Sequence, residues 1–481
     1  MWCKFFFLWL GQLLGLRRLY HLVFFRRLPY EKMTMPKIVR RVCEELGPTH
    51  IKLGRMVASA AGLLPRRYSD EFKLCLDRVP PFSTESAYRI IEEELGRSPQ
   101  ELFAHIEEVP LAAASIAQVH GARLHSGEEV VVKIQRPRIR ERVVADMAIM
   151  GFVAKVLEKM LRRVELANPV GIVDDFRTTL LEEIDFRKEA ANMEEFNRFF
   201  ADVGETQLVA PKVYWELTSE RVLTMERFYG LKADDVEAVR RIGLDSEKYL
   251  RIGMRGWLMT LLLRGFFHGD VHAGNLMYLP EREQIGLIDF GIIGRFDDAQ
   301  RMQILRYILS FTARDFRSLA DLMVEMGAAP PTVDREAFAR EMDTAFTPLM
   351  ELNIAEIKYE EVLPKILRGA SKYGVRLPRE FILILKQLLY FDRYSKLTAP
   401  NLNVFTDLYL VDFLFTETAA RHGIDFAQIA GLFMQIQARI AARNAATDPY
   451  SVAAACAAPG SPAASISSTR ASPARETGFE T

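Results

Sequence analysis

The run His268-Gly269-Asp270-Val271-His272-Ala273-Gly274-Asn275, followed downstream by Asp289-Phe290-Gly291, has residue types at spacings suited to phosphoryl transfer. That chemistry takes an acid to orient the attacking hydroxyl, an Asn five residues later on one metal ion, and an acid before Phe-Gly on the other. Asp270, Asn275 and Asp289 stand at those spacings. His268 and His272, at i,i+4, offer zinc as an alternative, but no third ligand accompanies them, and Gly269 and Gly274 suit a loop better than a helix.

A triphosphate also needs a lysine on its phosphates, an acid to position that lysine, and backbone that can come close. The β-branched run Glu129-Val130-Val131-Val132-Lys133-Ile134 reads as a strand presenting Lys133 to the α/β-phosphates. Ahead of it, Ala112-Ala113-Ala114-Ser115-Ile116-Ala117-Gln118-Val119-His120 reads as a hairpin loop covering the nucleotide. Alanine permits close approach but not positive φ, so this loop should be stiffer than a glycine-rich one. In Glu182-Glu183-Ile184-Asp185-Phe186-Arg187-Lys188-Glu189, Asp185 and Glu189 lie one turn apart and either could face Lys133, with Glu189 the better partner. Met225 and Glu226, on a strand expected at Val222 to Arg227, complete the nucleotide-contacting set. Singly, these residues have plainer readings: an edge-strand lysine, a solvated helical acid, a strand followed by a turn. Coincidence explains poorly their order, Lys, Glu, Asp-x4-Asn, Asp-Phe-Gly.

The elements that must position these groups imply an α+β chain. Its 481 residues exceed one ordinary domain, so two lobes plus appendages are expected. The 63 basic and 63 acidic residues leave no net charge to drive nucleic-acid or bulk membrane binding. Four scattered cysteines exclude a disulfide scaffold and fit a reducing, cytoplasmic-side compartment. Residues 1–28 are aromatic and leucine-rich; the apolar stretch Phe5 to Leu16 is too short to span a bilayer, and Arg17-Arg18 stand where a signal peptide needs small residues. This segment reads equally as a peripheral membrane-surface helix or as a helix on the protein's own core. Residues 29–108 form a helical extension that includes Thr84 to Leu95. Residues 109–228 form a strand-bearing lobe interrupted by helices from Arg138 to Asn192, with strands resuming at Gln207 to Tyr214. Residues 229–444 are a mainly helical lobe with a helix at Ser246 to Phe267, and 445–481 an Ala-, Ser- and Pro-rich disordered tail.

These residues, in this order, resemble the UbiB family of atypical kinase-like proteins linked to ubiquinone biosynthesis, over roughly Gly47 to Asn403. The family-specific elements are Gly47-Pro48-Thr49-His50-Ile51-Lys52-Leu53-Gly54, Leu64-Pro65 with Val79-Pro80-Pro81, the alanine-rich loop, Glu183-Ile184-Asp185-Phe186 and the His268 to Asn275 run. The resemblance implies a two-lobed protein-kinase-like fold using ATP or ADP with Mg2+. It implies partners among membrane lipids, quinone precursors and quinone-biosynthesis enzymes, and leaves a homodimer open. It further implies that the Lys52 segment folds over the nucleotide site and approaches Glu183 and Asp185, where a protein substrate would otherwise dock. No Ala-Pro-Glu follows Asp289-Phe290-Gly291, so a long peptide-docking segment is not expected. Three features depart from the family pattern: Arg55 replaces its glutamine, Gly269, Val271 and Ala273 replace an alanine and two prolines, and C-terminal spanning helices are not expected. A small-molecule phosphotransferase and a catalytically silent lipid-binding scaffold remain as alternatives, the latter motivated by Arg55.

Overall fold

The computed structural model describes residues 34–350, apart from 60–65, 73, 75–79, 161–168, 234 and 313, and scattered positions from 369 to 434. The segment 1–28, the tail 445–481 and the side chain of Arg55 lie outside the described residues, as does most of the helical expectation beyond 350.

Lys133 lies in the middle of a five-stranded antiparallel sheet. β1 (His105–Ile106), β3 (Ala117–Arg123), β4 (Glu129–Gln135) and β6 (Val222–Glu226) pair in that order, and β2 (Ala112–Ala113) adds to β3. The apolar alternation of these strands divides them between two cores. Val130, Val132, Ile134 and Val222 pack with Ile90 and Ile91 of α4 (Thr84–Leu95). Ala117, Leu223 and Met225 join the core of α8 (Phe186–Val203). Helix α4 has the bounds expected for it because both ends carry signals. Ser83 accepts from the Ser86 N–H at one end, and Gly96 ends the helix with φ 70°.

The alanine-rich run is not one long loop. Ala112–Ala113 and Ala117–Arg123 are strand, and the Ala114 N–H donates to the Ala117 carbonyl at 2.8 Å, closing a tight turn. The strand expected from Gln207 to Tyr214 shrinks to β5 (Leu208–Val209), which leaves the first lobe and pairs in parallel with β10 (Gln284–Leu287) of the second.

That second lobe holds the sheet β5-β10-β9-β7, with β7 at Leu231–Lys232 and β9 at Leu276–Leu279. Beneath it lies α10 (Ser246–Met259). This helix stops short of the expected Phe267: a π-helical turn, Thr260–Arg264, ends at Gly265 with φ 69°, where an added Cβ would lie 2.5 Å from the Phe296 carbonyl. The chain then enters β8 (Phe266–His268), which pairs with β11 (Ile293–Arg295). Helices α11 (Asp298–Thr312), α12 (Phe316–Glu325) and α13 (Arg335–Met350) follow.

Between β4 and β6 the chain inserts α6 (Ile139–Met160) and α7 (Pro169–Glu183), packed on each other before α8 begins. The extension supplies α1 (Met35–Leu46), α2 (Pro48–Ser59) and α3 (Arg66–Phe72), with α2 carrying Lys52. All of these elements lie within one unit, Met1–Ile429. Among the described residues no helix is long and apolar enough to cross a membrane.

Candidate phosphoryl-transfer site

Four short strands end at one place, which is how residues far apart in sequence become neighbours. His268 pairs with Ile293, and the Gly269 N–H donates to the Ile292 carbonyl at 2.8 Å, so Asp270 leaves β8 beside the segment that leads into β11. Leu276 pairs with Leu287, and the Ile288 N–H donates to the Asn275 carbonyl at 3.1 Å, so Asn275 and Asp289 flank one hairpin end. Asn275 Nδ2 donates to the Asp270 carbonyl at 3.1 Å, which fixes the orientation of the amide.

Lys133 projects from β4 on the face of Val119 and Leu223, its cross-strand partners, and reaches α8. Its Nζ donates to both carboxylate oxygens of Glu189 at 2.8 Å. Glu189 is buried, and Lys133 also stands over the Phe186 ring, 5.2 Å from its centroid. Burial would lower the Lys133 ammonium, but Glu189 and Asp289 hold it above its ordinary value. Burial pushes the Glu189 carboxyl up, with Lys133 pulling against it. Asp289 goes the other way: against burial, Lys133, the Gly291 N–H at 3.1 Å and Lys52 lower it to about 2. A group kept ionised next to an oriented amide oxygen suits a hard cation. Among the described residues no three His, Cys, Asp or Glu cluster to hold a metal. Asn275 and Asp289 would therefore need phosphate oxygens to complete a shell, as Mg2+ commonly does in nucleotide sites.

His268 links the two aspartates. The Asp270 N–H donates to its Nδ1 at 3.0 Å, so the proton sits on Nε2, which donates to the Asp289 carbonyl. Burial keeps this imidazole below its usual pKa and therefore neutral, as the bridge requires. Its own carbonyl accepts from Trp257 Nε1 at 3.0 Å. Asn192 and Gln387 brace the same region: Asn192 Nδ2 donates to the Phe290 carbonyl at 3.1 Å, and Gln387 Oε1 accepts from the Val271 N–H at 2.7 Å. None of these three roles was assigned from sequence. In the sequence His268 stands out as half of a zinc pair and as the first residue of the His268 to Asn275 run, without a bridging role, and nothing local marks the other two.

The remaining nucleotide-contact candidates separate by strand register. Met225 and Ala117 share the Lys133 face, whereas Gln118 and Glu226 sit opposite Ile134 and Val130 and point to the other side. Gln118 is buried between the Phe82 N–H, 3.1 Å from its Oε1, and His120 Nε2, 2.8 Å from its Nε2. Glu226 pairs with Arg282 at 2.7 Å. The period-2 alternation of a strand puts neighbours on opposite faces, so both are turned away from Lys133. Ala114, Ser115 and Ile116 form the turn, which Arg136 clamps by donating from Nε to the Ala114 carbonyl and from its backbone N–H to the Ile116 carbonyl, at 2.9 and 2.8 Å.

From α2, Lys52 reaches Glu183 at the end of α7 and bonds its carboxylate. Asp185 caps α8 by accepting from the Arg187 N–H, and its carboxylate pairs with the Arg187 guanidinium at 2.9 Å, which holds it below the usual carboxylate range. After Gly291 the chain enters β11 and then α11, with no extended segment between. A largely apolar cavity of about 430 Å³, lined by Tyr249, Trp257, Val271 and Tyr278 among others, does not include Lys133, Glu189 or Asp289, and so is not the cleft in which these charges meet.

The sequence profile of the ABC1 atypical kinase-like domain matches residues 74–323. Over 397 residues the chain is 38% identical to an uncharacterized, chloroplastic aarF domain-containing protein kinase of Arabidopsis thaliana, covering 77% of this chain and 73% of that one. It is 38% identical over 412 residues to an uncharacterized protein of Mycobacterium tuberculosis, covering 84% of each. With the "probable protein kinase UbiB" of Pseudomonas aeruginosa it shares 32% identity over 415 residues, 85% of this chain and 77% of the relative.

Proposed function

This chain belongs to the ABC1 atypical kinase-like family, which includes UbiB and aarF domain-containing relatives, and on that premise we propose that it binds Mg2+ with ATP or ADP and transfers or hydrolytically releases a phosphoryl group. In this reading Lys133, positioned by Glu189, contacts the α/β-phosphates. Asn275 and Asp289 hold the metal, whose chemistry is to neutralise charge on the phosphates. Asp270 orients the attacking oxygen, and the neutral His268 keeps it in register with Asp289. One observation carries the proposal: the bidentate Lys133–Glu189 pair stands beside an Asp289 carboxyl held at about 2, the charge state a metal ligand needs.

The Lys52–Glu183 contact and the direct run from Gly291 into β11 favour water or a membrane-borne acceptor over a protein hydroxyl. The family resemblance directs that acceptor toward isoprenoid quinone biosynthesis, with the protein peripheral on a membrane. Asp289→Asn should abolish the rise in melting temperature produced by Mg2+-ATP, while the ligand-free protein melts within a few degrees of wild type. An undiminished nucleotide-induced shift would remove the assigned metal site.

A further inference from the structure

Helix α6 is apolar around most of its circumference. Ile139, Val143, Met147 and Met150 pack inward with Phe176, Leu180 and Ile184, and Ala154 is buried on the same helix. On its other side Val144, Ile149, Phe152, Val153 and Val156 are exposed, Phe152 at 69% and Ile149 at 48%, with exposed Ala145 and Ala148 among them. Positions 149, 152, 153 and 156 follow the i, i+3, i+4, i+7 spacing of one helical stripe. A helix apolar on all sides belongs inside a core or against an apolar phase, and only half of this one has a core. Between Val143 and Ala154 the single charged residue is Asp146, which turns inward, its Oδ2 3.8 Å from Nδ1 of buried His50. At the C-terminal end of the stripe, exposed Lys155 and Lys159 lie on its flank, and the sequence continues to Arg162-Arg163.

We infer that the outward face of α6 docks on an anionic lipid bilayer, with Ile149, Phe152, Val153 and Val156 entering the headgroup–acyl boundary and Lys155 and Lys159 meeting lipid phosphates. This rests on the peripheral membrane reading proposed above and names the surface that performs it. An uncharged stripe with lysines at one edge is complementary to such a bilayer, whose anionic headgroups attract basic residues near the surface. A second copy of the chain fits less well. From Val144 to Val156 the stripe runs about 18 Å and is one helix, about 10 Å, wide. That gives on the order of 200 Å², well short of the roughly 800 Å² per partner that a stable dimer needs. The inner side of α6 also contacts the extension, since Leu53 of α2 packs against its buried cluster, and exposed Arg142 near the N-terminal end of α6 donates from Nη2 to the Leu46 carbonyl at 2.7 Å. The docking helix therefore lies against the segment that presents Lys52.

Flotation of the full-length protein with phosphatidylcholine vesicles containing about one-third phosphatidylglycerol tests the assignment. Ile149→Ser with Phe152→Ser should lower the partition coefficient by roughly tenfold or more. Lys155→Glu with Lys159→Glu should lower it by a similar factor on anionic vesicles and leave any binding to pure phosphatidylcholine unchanged. All four side chains are exposed, so both variants should keep the wild-type melting temperature. If wild type floats and both variants float equally well, the α6 assignment fails and the peripheral reading stands. If wild type floats with no vesicle, both fail. Loss of self-association in ultracentrifugation with vesicle binding intact would give the stripe to a second copy, which also overturns the proposal.

Discussion

Lys133 and Lys52 both bear on the Asp289 carboxyl, but the regions that hold them are built differently. Lys133 stands on β4, which pairs with β3 on one side and β6 on the other, and its Nζ engages both oxygens of Glu189. Lys52 belongs to an appended helix and meets Glu183 across a long sequence separation. The second region is less well satisfied. Glu183 Oε1, Thr49 Oγ1, both ring nitrogens of His50 and Asp146 Oδ2 are buried without a hydrogen-bond partner among the described residues. The two pairs also differ in exposure, since the Lys52 side chain is about a quarter exposed and that of Lys133 about half as much, so solvent reaches the clamp more readily. Segments with few satisfied polar contacts are the ones that open at low free energy. Lys133–Glu189 is thus part of the lobe's frame, and Lys52–Glu183 is a fastening.

The largest expected effect lies in the frame. Lys133→Ala leaves Glu189 buried without its counter-charge and should cost about 3 kcal/mol in urea unfolding, with much of that returned when Glu189→Leu is added. A loss no larger than that of Lys52→Ala would break the distinction. Next is the fastening: Lys52→Ala also leaves the buried Glu183 carboxylate without its partner, but Lys52 is a quarter exposed, so water can reach the gap it leaves and the cost should be smaller, about 1–2 kcal/mol. The same substitution removes a positive charge acting on Asp289, so Mg2+ affinity at fixed nucleotide should rise about threefold by titration calorimetry. A weaker metal affinity would instead make Lys52 part of the metal-binding frame.

The smallest effect is on the acid limb of stability. The folded pKa of Asp289, about 2, lies below the ordinary carboxylate value, so its contribution is complete above that value and is lost as pH falls toward 2. In Lys52→Ala the decline should begin at the same pH, set by the ordinary carboxylate value, but end a few tenths of a pH unit higher and be shallower, read from melting temperatures between about pH 5 and 2. Superimposable acid limbs would show that the charge of Lys52 does not reach Asp289.

Much of the candidate site was legible as residue types and spacings, because its residues sit in short local patterns. The β-branched run before Lys133, the spacing of Asp270 and Asn275, and the Ser83 and Gly96 signals of α4 each depend on a few neighbouring residues. Choosing Glu189 over Asp185 as the partner of Lys133 needed more: the two lie one turn apart, and the start of α8 at Phe186 makes Asp185 its cap while Glu189 enters the helix facing the sheet. Gln118 and Glu226 were assigned to the nucleotide because sequence does not state which face of a strand looks at which helix. Register decided that, and sent both to the α4 side. The destination of β5 was equally hidden, since a two-residue strand carries no periodicity and its partner lies in the other lobe.

By itself the sequence determined the groups on offer, the acids, lysines, amides and imidazoles of the candidate site, and in what order along the chain they come. It also determined the elements whose signals are local, because caps, β-branching and i,i+4 spacing act over a few residues. Tertiary structure alone decided which of those groups meet. It joined the ends of β8, β9, β10 and β11 so that His268 bridges Asp270 and Asp289, and it left one side of α6 without a core. Both outcomes depend on contacts between segments far apart in the chain, and no local pattern encodes the distance that folding removes.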